Sequence, residues 1–248
     1  MPNQTIFVTG AGRDIGQSIA QRLGSRQNFV IFHYAASRAG AEQSLAQVIQ
    51  AGGNGVVIQA DLSDRNDAAV LAEKVVEALA GRQLDVFVNN AAIAAASPLG
   101  QTDLTDIQAM TNVNLLAPFE LVNRLAPHMS NGGAIITLSV AATQRIFSPD
   151  FAYFSATKAA VDCLVRHWAV ALGHRGIRVN AIAPGVIEAN FRAQLLQDPT
   201  FRQELESATA LKRIGQIDDV VDVAEFLTAI ESRWITGQVI DVSGGWKI

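Results

Sequence analysis

Short runs of β-branched, aliphatic and aromatic residues recur at Thr5 to Val8, Asn28 to His33, Gly55 to Gln59, Val86 to Asn89, Ala134 to Leu138, Arg178 to Ala183 and Val239 to Val242. Each predicts a strand, and their near-continuous apolar character is what burial on both faces of a sheet requires. Between them, apolar residues return every three or four positions over Gly16 to Leu23, Gly40 to Ala51, Ala68 to Leu79, Ile107 to Met129 and Phe154 to Leu172, which predicts helices. Strands alternating with helices argue an α/β fold, a parallel sheet with helices on both faces. No repeat, low-complexity tract or linker breaks the pattern, so residues 1–248 read as one domain. The one long excursion, Ile187 to Gly215, carries Phe191, Leu195, Leu196, Phe201 and Leu205 among polar residues and reads as a helical substrate lid.

Composition narrows the class. With 248 residues, 49% of them apolar, the chain can bury one large core. Its 23 acidic and 19 basic residues give a net charge of −4 without a basic stripe, which argues against nucleic acid or an anionic membrane and for a small-molecule substrate. Cys163, the one cysteine, lies in an apolar helical stretch and reads as buried filler, so no internal disulfide forms. The start MPNQTIFVTG lacks a signal-peptide pattern, and no apolar run is long enough to span a bilayer; a cytoplasmic protein is expected. The histidines His33, His128, His167 and His174 show no metal-ligand spacing, and no G-x-S-x-G elbow is present.

The first strand runs into Thr9-Gly10-Ala11-Gly12-Arg13-Asp14-Ile15-Gly16, a glycine-rich turn opening a helix. Backbone N–H groups and the helix dipole at such a turn hold a pyrophosphate. Asp61-Leu62 ends the third strand, where a carboxylate meets an adenine amine, and Asn89-Asn90-Ala91-Ala92 ends the fourth, where small residues leave room for a ribose.

From about Thr5 to Trp246 the chain resembles the short-chain dehydrogenase/reductase family, on TGAGRDIG, ADL at Ala60 to Leu62, NNAA at Asn89 to Ala92, NVNLLAPF at Asn112 to Phe119, SATKAAV at Ser155 to Val161, RVNAIAPG at Arg178 to Gly185 and ITGQVIDVSGG at Ile235 to Gly245. The resemblance implies a single Rossmann-type, doubly wound, mainly parallel seven-stranded sheet and a homotetramer. It also implies a cofactor set of Gly10, Gly12, Arg13, Ile15, Gly16, Tyr34, Ser37, Arg38, Asp61, Leu62, Asn89, Ala91, Lys158, Pro184, Gly185 and Ile187. Where the family often has glycine this chain has Asp14, an anion beside the phosphates unless its side chain turns to solvent. The second strand ends in His33-Tyr34-Ala35-Ala36-Ser37-Arg38, with no carboxylate to repel a 2′-phosphate. Arg13, Arg38 and Ser37 offer that phosphate a cationic, hydrogen-bonding seat, which favours NADP(H) over NAD(H).

In this family a serine polarises a carbonyl, a tyrosine exchanges the proton, a lysine lowers the tyrosine pKa and holds the ribose, and an asparagine supports a water relay. The resemblance assigns these roles to Asn114, Ser139, Tyr153 and Lys158, and with them NADP(H)-dependent reduction of a ketone or imine, or the reverse oxidation. Two of the four stand one residue out of place: Val140 occupies the usual serine position and Phe154 the usual tyrosine position. Helix residues i and i+4 share a face, so Phe154 rather than Tyr153 faces with Lys158, and a one-residue slip in a strand turns Ser139 away unless the strand end bulges. Three readings follow. Irregular backbone brings Ser139 and Tyr153 inward; the chain binds NADP(H) without the usual proton relay, as an enzyme using an activated acceptor or as a binding module; or Phe154 and Val140 are replacements in an active reductase. Past Gly185 the family commonly has a threonine that bonds the nicotinamide carboxamide, and here Ala189 stands there with Asn190 beside it. Substrate is expected between Ala94 to Leu99, Phe147 to Phe151 and Ile187 to Leu211.

Overall fold

The computed structural model describes residues 3–25, 27–189 and 195–248. Among these, seven strands form one sheet: β1 (Thr5–Val8), β2 (Phe29–Tyr34), β3 (Asn54–Gln59), β4 (Leu84–Asn89), β5 (Met129–Leu138), β6 (Arg178–Pro184) and β7 (Val239–Val242). The order is β3, β2, β1, β4, β5, β6, β7, and every pairing is parallel. Parallel neighbours need crossovers, and these carry α1 (Asp14–Gly24), α2 (Arg38–Gln50), α3 (Asp67–Leu79), α4 (Leu104–Thr111), α5 (Ala117–Leu125), α6 (Ala152–Gly173), α7 (Pro199–Ser207) and α8 (Ile217–Thr228).

Strand side chains alternate faces, so each strand feeds two cores. Phe7, Phe87, Ile135 and Val179 pack with Leu71, Leu121 and Val165 from α3, α5 and α6, and the Phe7 and Phe87 rings stack 5.1 Å apart. On the other face Ile6, Val8, Val88 and Ile182 meet Ile19 and Leu23 of α1 and Val220 and Leu227 of α8. Fully burying one such side chain contributes about 1.5–3 kcal/mol, so the doubly covered sheet is the rigid frame on which the loops beyond its carboxyl ends are held.

The helix expected over Ile107 to Met129 is instead broken. α4 gives way to a π-helical turn at Asn112–Leu116, α5 follows, and a short 3-10 turn at Ala126–His128 leads into β5, which already includes Met129. Pro127 ends α5, because proline donates no hydrogen bond and disfavours helix in the residue before it. Cys163 is also not buried filler: it is exposed on α6. In the 187–215 segment, Ile187 bridges Gly215, and Leu196, Leu205 and Ile214 form a small cluster against Phe147, Val186 and Phe201. Asn190 and Phe191 lie outside the described residues. No helix among those described is long and apolar enough to cross a membrane.

Candidate active site

The strand order reverses between β1 and β4, and the loops that leave these two strands meet there. Thr9 ties them together: its Oγ1 accepts the N–H groups of Asn90 and Ala91, both at 3.0 Å, while Asn90 Nδ2 donates back to the carbonyls of Thr9 and Gly10. The glycines make this approach possible. A Cβ on Gly16 would stand 2.2 Å from Asn90 Nδ2, and one on Gly12 would stand 2.6 Å from the Ser37 carbonyl. Arg13, which caps α1, supplies no side-chain acceptor to the helix start, so the first-turn amides suit a phosphate oxygen.

His33 sets the shape of this turn. Its ring Nδ1 accepts the Gly10 N–H at 3.2 Å, its carbonyl accepts the Ala11 N–H at 2.8 Å, and Nε2 lies 3.1 Å from the Ala60 carbonyl. Those partners require the neutral tautomer with hydrogen on Nε2. Burial pushes the pKa down to about 4. One residue thus joins the phosphate turn to the end of β3.

The other residues expected at a nucleotide differ in exposure. Arg13 and Arg38 are largely exposed at the turn; Arg38 pairs with Glu42 at 2.8 Å, and Ser37 Oγ donates to the Gly12 carbonyl at 2.9 Å. Asp61 is exposed, and its Oδ1 accepts the backbone N–H and the hydroxyl of Ser63. Leu62, Tyr34 and Ile187 are buried, Leu62 and Ile187 among the apolar residues that cover the two faces of the sheet. Asp14 does not turn to solvent: its side chain is buried, with Oδ2 4.0 Å from Arg13 Nε, and its backbone is left-handed at φ 51°. That conformation explains why glycine suits the position.

At the far end of the crevice the α6 backbone is regular from Ala152 onward, and its register decides which side chains face the site. Phe154 lines a narrow cleft with Val140, Phe147, Phe151, Trp246 and the turn at Pro184 to Val186. Tyr153 lies a residue earlier, about 100° round the helix. Its hydroxyl is 2.8 Å from Thr111 Oγ1, and because Thr111 donates to the Ile107 carbonyl, Tyr153 is the donor. The strand end likewise stays extended at Val140, with φ −155° and ψ 143°, so no bulge rotates its neighbour inward. Ser139 Oγ is buried on the other side, where its hydroxyl and that of Thr143 face Asp162 without the geometry of a full hydrogen bond. Asp162 and Thr143 line a separate recess with Arg166 and Gln238. The structure therefore does not gather Ser139 and Tyr153 with Lys158; it places Val140 and Phe154 where they were looked for.

Lys158 and Asn114 do sit in the interior. Lys158 Nζ donates to the Leu138 carbonyl at 2.6 Å, and burial pushes its pKa down to about 8, against a smaller upward pull from Asp162. Asp162 itself is pushed up by burial, which the Ser139 and Thr143 hydroxyls partly offset. Asn114 lies in the π-helical turn and hooks the chain at Ile93, accepting from its N–H at 3.0 Å and donating to its carbonyl at 2.9 Å; it also donates to Thr157 Oγ1. Single π turns often occur at functional positions. Of the segments expected to hold substrate, Phe147 to Phe151 reaches the cleft, whereas Leu99 and Leu211 point to solvent. Trp246 enters the cleft from the chain end without any sequence expectation of a role.

The family model described as Enoyl-(Acyl carrier protein) reductase matches residues 10–247. Similar proteins include 3beta-hydroxysteroid dehydrogenase 1 of Eggerthella lenta, 32% identical over 100% of this chain and 95% of the relative. The 3-oxoacyl-[acyl-carrier-protein] reductase of Staphylococcus aureus is 33% identical over 98% of this chain and 97% of its own length. Among solved structures, angucycline C-6 ketoreductase LanV with bound NADP superposes with a TM-score of 0.91 at 34% identity, covering 98% of this chain and 95% of that one. The chain belongs to the short-chain dehydrogenase/reductase family of oxidoreductases, as its motifs led us to expect.

Proposed function

We propose that this protein reduces an unsaturated carbon bonded to oxygen or nitrogen in a partly aromatic small molecule, taking hydride from NADPH, and that no hydroxyl on the cleft wall supplies the proton. The observation that carries this reading is the pairing of an intact dinucleotide turn with a cleft lined by Val140 and Phe154. When bound, the nicotinamide cofactor supplies hydride. The chain's own part is to bind and orient. The α1 amides and the turn at Gly10, Gly12 and Gly16 suit the pyrophosphate, Asn89 and Ala91 the adenosine ribose, and Asp61 the adenine. Lys158 suits the nicotinamide ribose, and the turn at Pro184 and Gly185 the nicotinamide. The exposed guanidinium groups of Arg13 and Arg38, with no carboxylate at the end of β2, favour NADP(H) over NAD(H), and the solved relative LanV carries NADP. Apolar side chains left on the surface of the π-helical turn, α5 and α6, namely Leu116, Phe119 and Val170, support a homotetramer.

The test follows NADPH oxidation against a panel of aromatic ketones and imines for the unaltered chain and for Tyr153→Phe. Turnover that survives Tyr153→Phe within about twofold supports the reading, because removing a general acid costs about 10²-fold or more. A loss of that size in Tyr153→Phe would place the proton on Tyr153 and contradict it.

A further inference from the structure

The cleft's chemistry narrows the acceptor further, given the reading above. Four aromatic rings line it in sequence of contact. Trp246 and Phe147 have centroids 5.9 Å apart, Phe147 and Phe151 6.1 Å, and Phe151 and Phe154 6.5 Å. Among the described residues the remaining side chains are aliphatic, and the single side-chain donor, the Trp246 indole N–H, is buried and makes no hydrogen bond.

A neutral ketone is poorly served by such a wall. Hydride added to a carbonyl carbon leaves an alkoxide, which needs a donor within hydrogen-bond reach and then a proton; unsolvated charge in an apolar cleft is expensive. A carbon–nitrogen double bond that already carries a positive charge has neither need. Hydride adds to carbon, the π pair becomes the nitrogen lone pair, and the product is a neutral amine with no proton taken up. The positive charge passes from the acceptor to the nicotinamide ring as the new C–H bond forms, so the acceptor's side of the cleft loses charge in the transition state and an apolar wall there does not oppose the reaction. Aromatic faces meanwhile hold the cation in the ground state. The Trp246 ring already meets one cation, Lys247 Nζ at 4.8 Å, which is anchored on the Ile146 carbonyl at 2.8 Å.

We propose that the cleft formed by Phe147, Phe151, Phe154 and Trp246 is an aromatic cage for an iminium cation, and that reduction of such a cation to the amine is the reaction the altered Val140 and Phe154 positions serve.

Two readouts test it, one of them independent of turnover. In the first, NADPH oxidation is compared for 2-methyl-3,4-dihydroisoquinolinium and for 1-tetralone, each corrected for its rate without protein. The cage predicts kcat/KM roughly 100-fold or more in favour of the cation. In the second, calorimetry in the presence of NADP+ compares 2-methylisoquinolinium with its uncharged isostere 2-methylnaphthalene. The cation should bind roughly tenfold tighter or more, and Lys247→Ala should tighten the cation alone. Equal or better turnover of tetralone, or equal affinity for the hydrocarbon, overturns the cage and leaves the reductase reading standing. If neither these two acceptors nor any member of the ketone and imine panel oxidises NADPH, the reductase reading fails, and the calorimetric preference alone then decides whether the cage exists: a preference for the cation sustains it, and no binding or no preference removes it.

Discussion

His33 shows what a single side chain does here that its sequence neighbours do not announce. It sits in an apolar strand, so only the parallel pairing of β1, β2 and β3 reveals that its ring reaches the Gly10 amide and the Ala60 carbonyl. Its folded pKa of about 4 lies below the ordinary 6.5, so the unfolded chain takes up the proton first as pH falls. The stabilisation is complete above about pH 6.5 and is lost progressively toward pH 4. Urea unfolding should therefore show a loss of about 2 kcal/mol from this group between about pH 7.5 and pH 5, and the slope should flatten in His33→Asn. An unchanged slope would remove the assignment. Asp14 gives a second residue-scale outcome. At φ 51° its backbone suits glycine, so Asp14→Gly should raise stability by about 0.5–1 kcal/mol and tighten NADP+ by removing an anion near the phosphates; thermal melts and cofactor titration check both.

Element geometry made the central feature of the site readable before any tertiary contact was known. A helix has one register and a strand two faces, so once the family resemblance says where the serine and tyrosine are expected, the displacement of Tyr153 and Ser139 can be read from spacing. The structure adds their destinations, Thr111 for Tyr153 and the Asp162 side of α6 for Ser139, and these depend on packing between distant elements. The strands were legible because buried parallel strands are continuously apolar. The long helix from Ile107 was misjudged because its apolar spacing continues through the π turn at Asn112–Leu116, where the backbone changes and the pattern does not. Cys163 failed for a related reason, since an apolar stretch of helix still has an outer face. On α6, Lys158 carries a folded pKa of about 8 against an ordinary 10.5, so stability rises as pH climbs from about 8 to 10.5. Lys158→Met should abolish that rise, stabilise the fold at neutral pH by about 1–3 kcal/mol, and weaken NADP+ binding. A variant that loses stability at neutral pH would contradict the placement of Lys158 as a strained cation kept for the ligand.

At the scale of the whole molecule, the two ends of one crevice follow different rules. The proposed nucleotide end keeps the family's turn with Gly10, Gly12 and Gly16, departs from it at Asp14, and adds the exposed Arg13 and Arg38, all of which could be located from the sequence. The proposed reacting end has Val140 and Phe154 where the family pattern leads one to expect two hydroxyls, and gathers four aromatic rings; Trp246 joins them only through folding. If Arg13 and Arg38 form the seat for the 2′-phosphate, replacing both with alanine should weaken NADP+ roughly tenfold or more and leave NAD+ nearly unchanged, as charge-assisted contacts to phosphate are each worth a kcal/mol or more. Equal losses for both cofactors would move the phosphate elsewhere. The most direct measurement for the account as a whole is kcat/KM for NADPH-dependent reduction of 1-tetralone by the unaltered chain and by Phe154→Tyr. A tyrosine on the face shared with Lys158 should raise it by roughly tenfold or more, since a positioned general acid is worth about 10²–10⁴-fold. An unchanged or lower value in Phe154→Tyr, beside an unaltered chain that already reduces the ketone efficiently, would contradict a cleft without a proton donor.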